Sequence, residues 1–450
     1  MANRYINPSG FTENLPHQQV VEDELKDSFA KVAESYGYAR LETASVEYLE
    51  TLASKGEINK EVYTIGRALS EGVNTESERA LHFDLTVPFA RYVAQHQADL
   101  PFPFRRYQIQ KVWRGERPQK GRFREFYQAD VDVVSRDNLS IYFDAEVATV
   151  MAQILTSFKL GKVTMHINNR KFLSGLFYEV FKTDITTPVL QTIDRIDKIG
   201  VEEVKRILRE QICLPSASVE KLFDVIGRIV PLEEVSDFLS NLPTSNDALK
   251  EGIEELSQVF SVLAENKELK DFSFVLNPTI ARGLDYYTGT VYETTIEGLE
   301  KYGSICSGGR YADLAGRFTK QKLPGVGMSI GLTRLLAILG EENLADFSRK
   351  SRSDLVVFLR DHQQSVLAIR AANMLRGQGL NIEVNYKEGV ALSKQLATLE
   401  KQSIPHGLVC EADGKLTMYT LRDGEQANKQ TFANILDIAT YIHSAKVTRR

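Results

Sequence analysis

Residues 105–134 read RRYQIQKVWRGERPQKGRFREFYQADVDVV, and the fold turns on this stretch. Side chains of a β-strand alternate between faces with period two, and both flanks of the polar centre follow that period. The spacing predicts two long strands around a polar, projecting loop. On the second strand the even positions are Arg124, Phe126, Gln128, Asp130 and Asp132; on the first they include Gln110, Val112 and Arg114. One face therefore collects an aromatic ring, amides, carboxylates and arginine. The opposite face shows Phe123, Tyr127, Val131 and Val133, which suits a core. The polar face is built to hold a charged, planar ligand. Eight basic residues fall between 105 and 124: Arg105, Arg106, Lys111, Arg114, Arg117, Lys120, Arg122 and Arg124, opposed within that span only by Glu116. Arginine forks grip phosphate bidentately and stack on bases, so the cluster and its ERPQKG loop are expected to meet a triphosphate or a nucleic-acid end.

Working outward, apolar residues at Val21, Leu25, Phe29, Val32 and Tyr36 follow helical spacing after Pro16, with Gly37 as the stop. Residues 81–95 start strand-like and turn helical around Pro88. A helix is expected over 140–158 and a strand over 163–168. Residues 185–270 are rich in Leu, Ile, Val, Glu and Lys at helical spacing and read as a mostly helical insertion. Strand signals return over 272–296 and 303–311, and GVGMSIGLTRLLAIL (325–339) reads as a strand running into a helix. From 353 onward strands at 355–359, 381–385, 407–410 and 416–421 alternate with helices at 363–377, 391–402 and 431–443. That alternation predicts a separate α/β domain over 353–450, after a first domain over 1–345.

Composition narrows the classes. The 450 residues are 43% hydrophobic and 26% charged, which excludes disordered and collagen-like chains. No run approaches the ~20 apolar residues of a membrane span, and MANRYINPSGF has no apolar signal core, so a cytoplasmic protein is expected. The cysteines, Cys213, Cys306 and Cys410, are too dispersed for a disulfide framework or a zinc site. With 55 basic against 60 acidic residues the net charge is −5, so any nucleic-acid contact must come from local patches.

The stretch VWRGERPQKGRFREFYQADVDVV resembles motif 2 of class II aminoacyl-tRNA synthetases, specifically of the histidyl-tRNA synthetases. ARGLDYYTGTVYE (281–293) and SGGRY (307–311) resemble that family's two histidine-specific motifs, and GVGMSIGLTRLLAIL resembles motif 3. With FDLTVPFARY (83–92), the likeness runs from about residue 5 to the end. It implies an α+β catalytic domain, an antiparallel sheet flanked by helices, with the helical insertion inside it and a C-terminal α/β anticodon-binding domain. It also implies a homodimer, with motif 1 near residues 20–50 at the interface. The implied reaction ligates histidine to its tRNA through histidyl-adenylate, with ATP as substrate and Mg2+ as its companion. A non-catalytic paralogue that regulates ATP phosphoribosyltransferase is the main alternative. Such proteins typically lack the C-terminal domain and an intact RGLDYYT arginine, and this chain has both.

By the same resemblance, Arg114 and Arg282 are the catalytic arginines at the α-phosphate. Arg114, Glu116, Arg122, Phe126 and Arg334 bind ATP, with adenine stacked on Phe126. Asp84, Thr86 and Gln128 hold the α-amino group, while Asp132, Tyr286, Tyr287 and Tyr311 line the imidazole pocket beside Arg282. Gln119 and Lys120 meet the tRNA acceptor end. The chain departs from the family's habit at Thr333, where a glutamate is usual, and at Asp84 and Asp132, where many bacterial relatives carry glutamate. His166 and the other histidines have no partners at metal-ligand spacing and are read as structural or exposed.

Overall fold

The computed structural model describes residues 6–52, 61–66, 78–118, 121–182, 186–243, 246–281, 287–313, 315–316, 318–360, 362, 364–387, 389–421 and 427–449. The chain divides into two compact units, Met1–Thr12 with Leu25–Leu344, and Glu13–Glu24 with Ala345–Arg450. In chain order the elements begin α1 (Pro16–Ser35), β1 (Ala39–Arg40), β2 (Val46–Tyr48), α2 (Leu49–Leu52), β3 (Arg79–Leu81), α3 (Thr86–His96), β4 (Phe104–Trp113), β5 (Glu125–Val134), α4 (Tyr142–Ser157), β6 (Val163–Asn169) and α5 (Arg170–Phe181). The insertion follows as α6 (Thr186–Ile193), α7 (Ile196–Ile199), α8 (Val201–Glu210), α9 (Ser216–Ile226), β7 (Val230–Pro231), α10 (Val235–Ser240) and α11 (Asp247–Leu263). Then come β8 (Phe272–Leu276), β9 (Thr290–Ile296), β10 (Cys306–Tyr311), β11 (Gly325–Gly331) and α12 (Leu332–Glu341).

Nine strands form one sheet in the order β1-β4-β5-β11-β10-β9-β6-β8-β7. Its centre is antiparallel, while β1·β4 and β6·β8 are parallel pairs toward the edges. The insertion is therefore not helical throughout: β7 leaves it to pair antiparallel with β8 at the sheet's edge. A two-residue strand ending in Pro231 carries too little pattern to be legible in sequence.

The helix α4 fixes which face of the sheet is core. Ten of its sixteen residues are buried, and Glu146, Gln153 and Thr156 mark its one less buried edge. It packs against β5, β6, β11 and α11. Arg105 and Arg310 tie it down through Glu146 and Asp144, at 2.9 and 2.6 Å. These arginines lie on the same face as Val131, Val133, Val326 and Met328. The opposite face is left for polar side chains, and α3 closes one end of it with Phe89 packed near Phe104 and Tyr311.

The second unit continues with β12 (Leu355–Phe358), α13 (Ser365–Gly377), β13 (Ile382–Asn385), α14 (Leu392–Gln402), β14 (His406–Cys410), β15 (Leu416–Thr420), β16 (Asn428–Phe432) and α15 (Ile435–Arg449). Its sheet runs β13-β12-β14-β15-β16, parallel across β13, β12 and β14 and antiparallel beyond. Alternate residues of β12 enter two cores: Leu355 and Val357 meet Ala372 and Ile438, and Val356 and Phe358 meet Leu399. The strand β16 went unread because its residues NKQT are exposed on an edge and give no apolar alternation. Among the described residues, no helix is long and apolar enough to cross a membrane.

Candidate functional site

Opposed residues of an antiparallel pair share a face. On the face away from α4, Arg106, Gln108, Gln110 and Val112 of β4 lie opposite Asp132, Asp130, Gln128 and Phe126 of β5. The strand β11 extends the row with Gly327, Ser329 and Gly331, and β10 adds Ser307, Gly309 and Tyr311. The result is a polar floor with two different ends.

The inner end is acidic and closed. Asp130 and Asp132 are buried, and the fully buried Arg106 guanidinium reaches both, at 3.8 Å and 2.8 Å. Arg106 also donates to Gln108 at 3.0 Å, Gln108 to Gln110 and Thr43, and Gln110 to Ser45, so a chain of side-chain bonds runs along the floor. Burial drives the Asp130 carboxyl up to about 7, with Arg106 pulling the other way and Asp132 adding repulsion. Asp132 is raised by the same burial, again opposed by Arg106. Ser329 Oγ accepts from Gln128 Nε2 at 3.0 Å, and Gln128 Oε1 and Asp130 Oδ1 are buried acceptors with no hydrogen-bond partner among the described residues. Asp84 stands just before α3, where its carboxylate accepts the Val87 amide at 3.0 Å; it acts electrostatically on Asp130, Asp132 and Tyr287. Thr86 begins α3 beside it.

Glycines make room for this end. A Cβ at Gly327 would stand 2.1 Å from the Asp132 carboxylate, one at Gly325 2.3 Å from the Tyr311 ring, and one at Gly309 2.7 Å from the Tyr287 ring. Tyr287 and Tyr311 are thereby laid against the strands, close enough to Asp132 that its charge, after burial, raises both phenols. Arg310 of the SGGRY segment points the other way, to Asp144.

The outer end is half-open and basic. Arg114 donates from Nε to the Phe83 carbonyl at 3.0 Å, and its guanidinium carbon lies 5.1 Å from the centre of the Phe126 ring. Stacking fixes the plane of the fork without closing its terminal nitrogens. Glu116 and the exposed Arg122 are 3.6 Å apart in the loop above. Arg334, in the first turn of α12, donates to the carbonyls of Tyr302 and Ser304 and lies beside Gly121. Thr333 has its own employment: its Oγ accepts the Tyr127 amide at 2.9 Å, continuing β5 past the last β11 pair at Gly331.

The basic cluster read from the sequence is much smaller in space. Arg106 is sealed within the floor, Arg105 pairs with Glu146, Lys111 pairs with Glu125, and Arg124 holds the carbonyls of Glu116 and Ser9. Arg114, Arg117 and Arg122 remain toward the loop. Arg282, Tyr286, Gln119 and Lys120 lie outside the described residues. His166 is neither a ligand nor idle: its ring nitrogens meet Thr295 and Asn277 at 3.2 and 3.3 Å. Among the described residues, no group of three His, Cys, Asp or Glu side chains could hold a metal ion. In the second unit, Lys387, Lys394 and Lys401 are exposed.

The sequence placed Asp130 on this face without giving it a role, and it gave no role in the site to Arg106 or Gln108. The alternation that placed Asp132 on this face placed them there too, and that was the available signal.

Comparison with known proteins places the whole chain in one family. A histidyl-tRNA synthetase family model matches residues 10–335. A histidine–tRNA ligase of Thermobifida fusca is 44% identical over 89% of this chain and 92% of its own length. One from Clostridium tetani is 39% identical over 96% and 98%. The crystal structure of histidyl-tRNA synthetase from Nostoc sp. PCC 7120 superposes with a TM-score of 0.86 at 36% identity, covering 98% of this chain and all of that one. The chain thus belongs to the histidyl-tRNA synthetase family.

Proposed function

We infer that the two ends of the β4–β5 floor divide the substrates of one reaction, the ligation of histidine to its tRNA. The reaction runs in two steps. A carboxylate oxygen of histidine attacks the α-phosphorus of ATP, the bond to the bridging oxygen breaks, and pyrophosphate leaves. A hydroxyl of the tRNA terminal ribose then attacks the acyl carbon, and AMP departs. Such chemistry asks the protein for positioning and for charge opposite the developing negative charge.

The observation that carries the assignment is the pairing of Arg114 with Phe126 at the open end and of carboxylates with Arg106 at the closed end of the same face. Adenine stacks on Phe126, and the Arg114 fork takes the α-phosphate and the amino-acid carboxylate. Glu116 faces the adenine amino group; Arg122 and Arg334 serve the polyphosphate side. At the closed end Gln128 Oε1, a buried acceptor lacking a donor among the described residues, suits the α-ammonium together with Asp84 and Thr86. Asp132, Tyr287 and Tyr311 bracket the imidazole, whose two nitrogens need an acceptor and a hydroxyl partner. Arg282 and Tyr286 are assigned to the same pocket, and Gln119 and Lys120 to the acceptor end, on the resemblance alone. No acidic cage for a metal exists among the described residues, so Mg2+ belongs with the nucleotide's phosphates, where it would offset their charge.

The Ala345–Arg450 segment, with cores of its own and exposed lysines, is assigned to the anticodon stem-loop. Exposed Val46 and Tyr48 on β2 support a homodimer, and the absence of a membrane-length helix among the described residues is compatible with a cytoplasmic enzyme. ATP–pyrophosphate exchange with each standard amino acid tests the reading. Exchange should require Mg2+ and occur with histidine; exchange with a different amino acid, or none, would overturn it.

A further inference from the structure

We propose that Asp130, to which the resemblance assigns no role, is a specificity-determining residue of the amino-acid pocket, a carboxylate that Arg106 leaves incompletely compensated and that the substrate's α-ammonium neutralises. The inference rests on the reading of the closed end as the histidine site.

Charge counting at the floor is the first ground. Two buried carboxylates, Asp130 and Asp132, share the single guanidinium of Arg106, and the shorter contact, 2.8 Å, goes to Asp132. Asp130 stands off at 3.8 Å, with Oδ1 buried and without a hydrogen-bond partner among the described residues. Burying a charge without full compensation is costly, so such a group calls for a cation or for a proton. Its position is the second ground. Asp130 lies on β5 between Gln128 and Asp132, on their face, opposite Ser329 and Gln108. A ligand whose ammonium meets Gln128 and whose ring meets Asp132 therefore passes over Asp130.

Every neighbouring element bears on its charge: Arg106 from β4, Asp132 from β5, Ser329 from β11, Cys306 from β10, Asp84 from the segment before α3, and Tyr287 before β9. Of these only Arg106 is a cation. In the empty pocket a proton stands in for the missing positive charge, consistent with the upward displacement of this carboxyl to about 7. Arrival of an ammonium favours the ionised form and releases that proton. Histidine binding is then linked to proton release near neutrality, and affinity rises with pH through that window.

The test uses the full-length protein and its Asp130→Asn variant, which keeps shape and removes the charge. The Michaelis constant for histidine in pyrophosphate exchange should rise about ten-fold, the size expected for losing an interaction with a charged group, while that for ATP stays unchanged. The variant should also lose the part of the pH dependence of histidine KM that the wild type shows between about pH 6 and pH 8. Free histidine titrates identically in both assays, so the difference between profiles is the readout. Imidazole-propionate, which lacks the ammonium, should inhibit both proteins equally. On the wild type alone, calorimetry of histidine binding in buffers of different ionisation enthalpy should report proton release, which keeps the inference testable if the variant folds poorly. An unchanged histidine KM with an unchanged pH profile, an equal rise for histidine and ATP, or the absence of proton release would overturn it. Failure of the wild type to exchange with histidine would instead overturn the reading of the site itself.

Discussion

At the inner end of the β4–β5 pair Arg106 is fully buried between two aspartates, whereas at the outer end Arg114 is half-buried, stacked on Phe126 and bonded to one carbonyl. Both arginines belong to the same basic run of sequence and face the same side of the sheet. What separates them is depth. At the inner end the guanidinium answers charges that the fold itself has buried, so its removal injures the fold. At the outer end the fork is oriented but still open, so under the proposed reading its removal should injure chemistry rather than the fold. A cluster of like charges in sequence is therefore not one feature, and the contrast can be broken experimentally at either end.

The largest effect is expected from Arg106→Met. Removing one partner of a buried ion set leaves the others uncompensated, which typically costs about 3–5 kcal/mol of stability. Chemical denaturation should show the loss, and it should depend on pH. The Asp130 carboxyl is raised in the folded protein from 3.8 to about 7, so its contribution to stability is full below the unfolded value and is lost as pH rises through the folded one. Without Arg106 the carboxyl holds its proton to higher pH and the loss continues, so the deficit of the variant should grow as pH rises through about 7. A deficit independent of pH would mean that Arg106 serves by its volume. Arg114→Ala should do the reverse: adenylate formation falls by ~10²–10³, as when one preorganised donor is removed from a transition state. Its unfolding midpoint should barely move, and a large shift would erase the distinction between the ends. The smallest effect belongs to Thr333→Val, which strips one hydrogen bond from the Tyr127 amide between the ends. About 1 kcal/mol of stability should be lost, with faster exchange of that amide and little change in either substrate's KM.

The alternation of FREFYQADVDVV showed which β5 side chains share a face, because period-two patterning survives in sequence whenever the strand is long. It did not show which end is sealed. Burial of Arg106 depends on α3 arriving over Phe104 with Phe89, whose ring lies 4.3 Å from the Arg106 guanidinium carbon, and no local pattern encodes that arrival. Thr333 was legible only as a departure from the family's glutamate; its bond to the Tyr127 amide is a long-range event. The strands β7 and β16 were missed for the opposite reason, since a two-residue edge and a solvated edge hold almost no apolar signal. Most of the remaining elements, α4 above all, were plain because a helix with so broad an apolar face has only one place to go.

The glycines of β11 have a bearing on how the sheet assembles. A strand that shows only Gly325, Gly327, Gly331 and the small Ser329 on one face has little there to anchor it by packing, and slippage by one residue turns every side chain over. Here the resistance to slippage comes from the neighbours. Asp132 occupies the space over Gly327 and the Tyr311 ring the space over Gly325. A shift by one place would bring Val326 or Met328 beneath them, and no room exists for either. The two adjoining strands thus carry the alignment key for the strand between them, and only one register of β11 fits Asp132 and Tyr311 together.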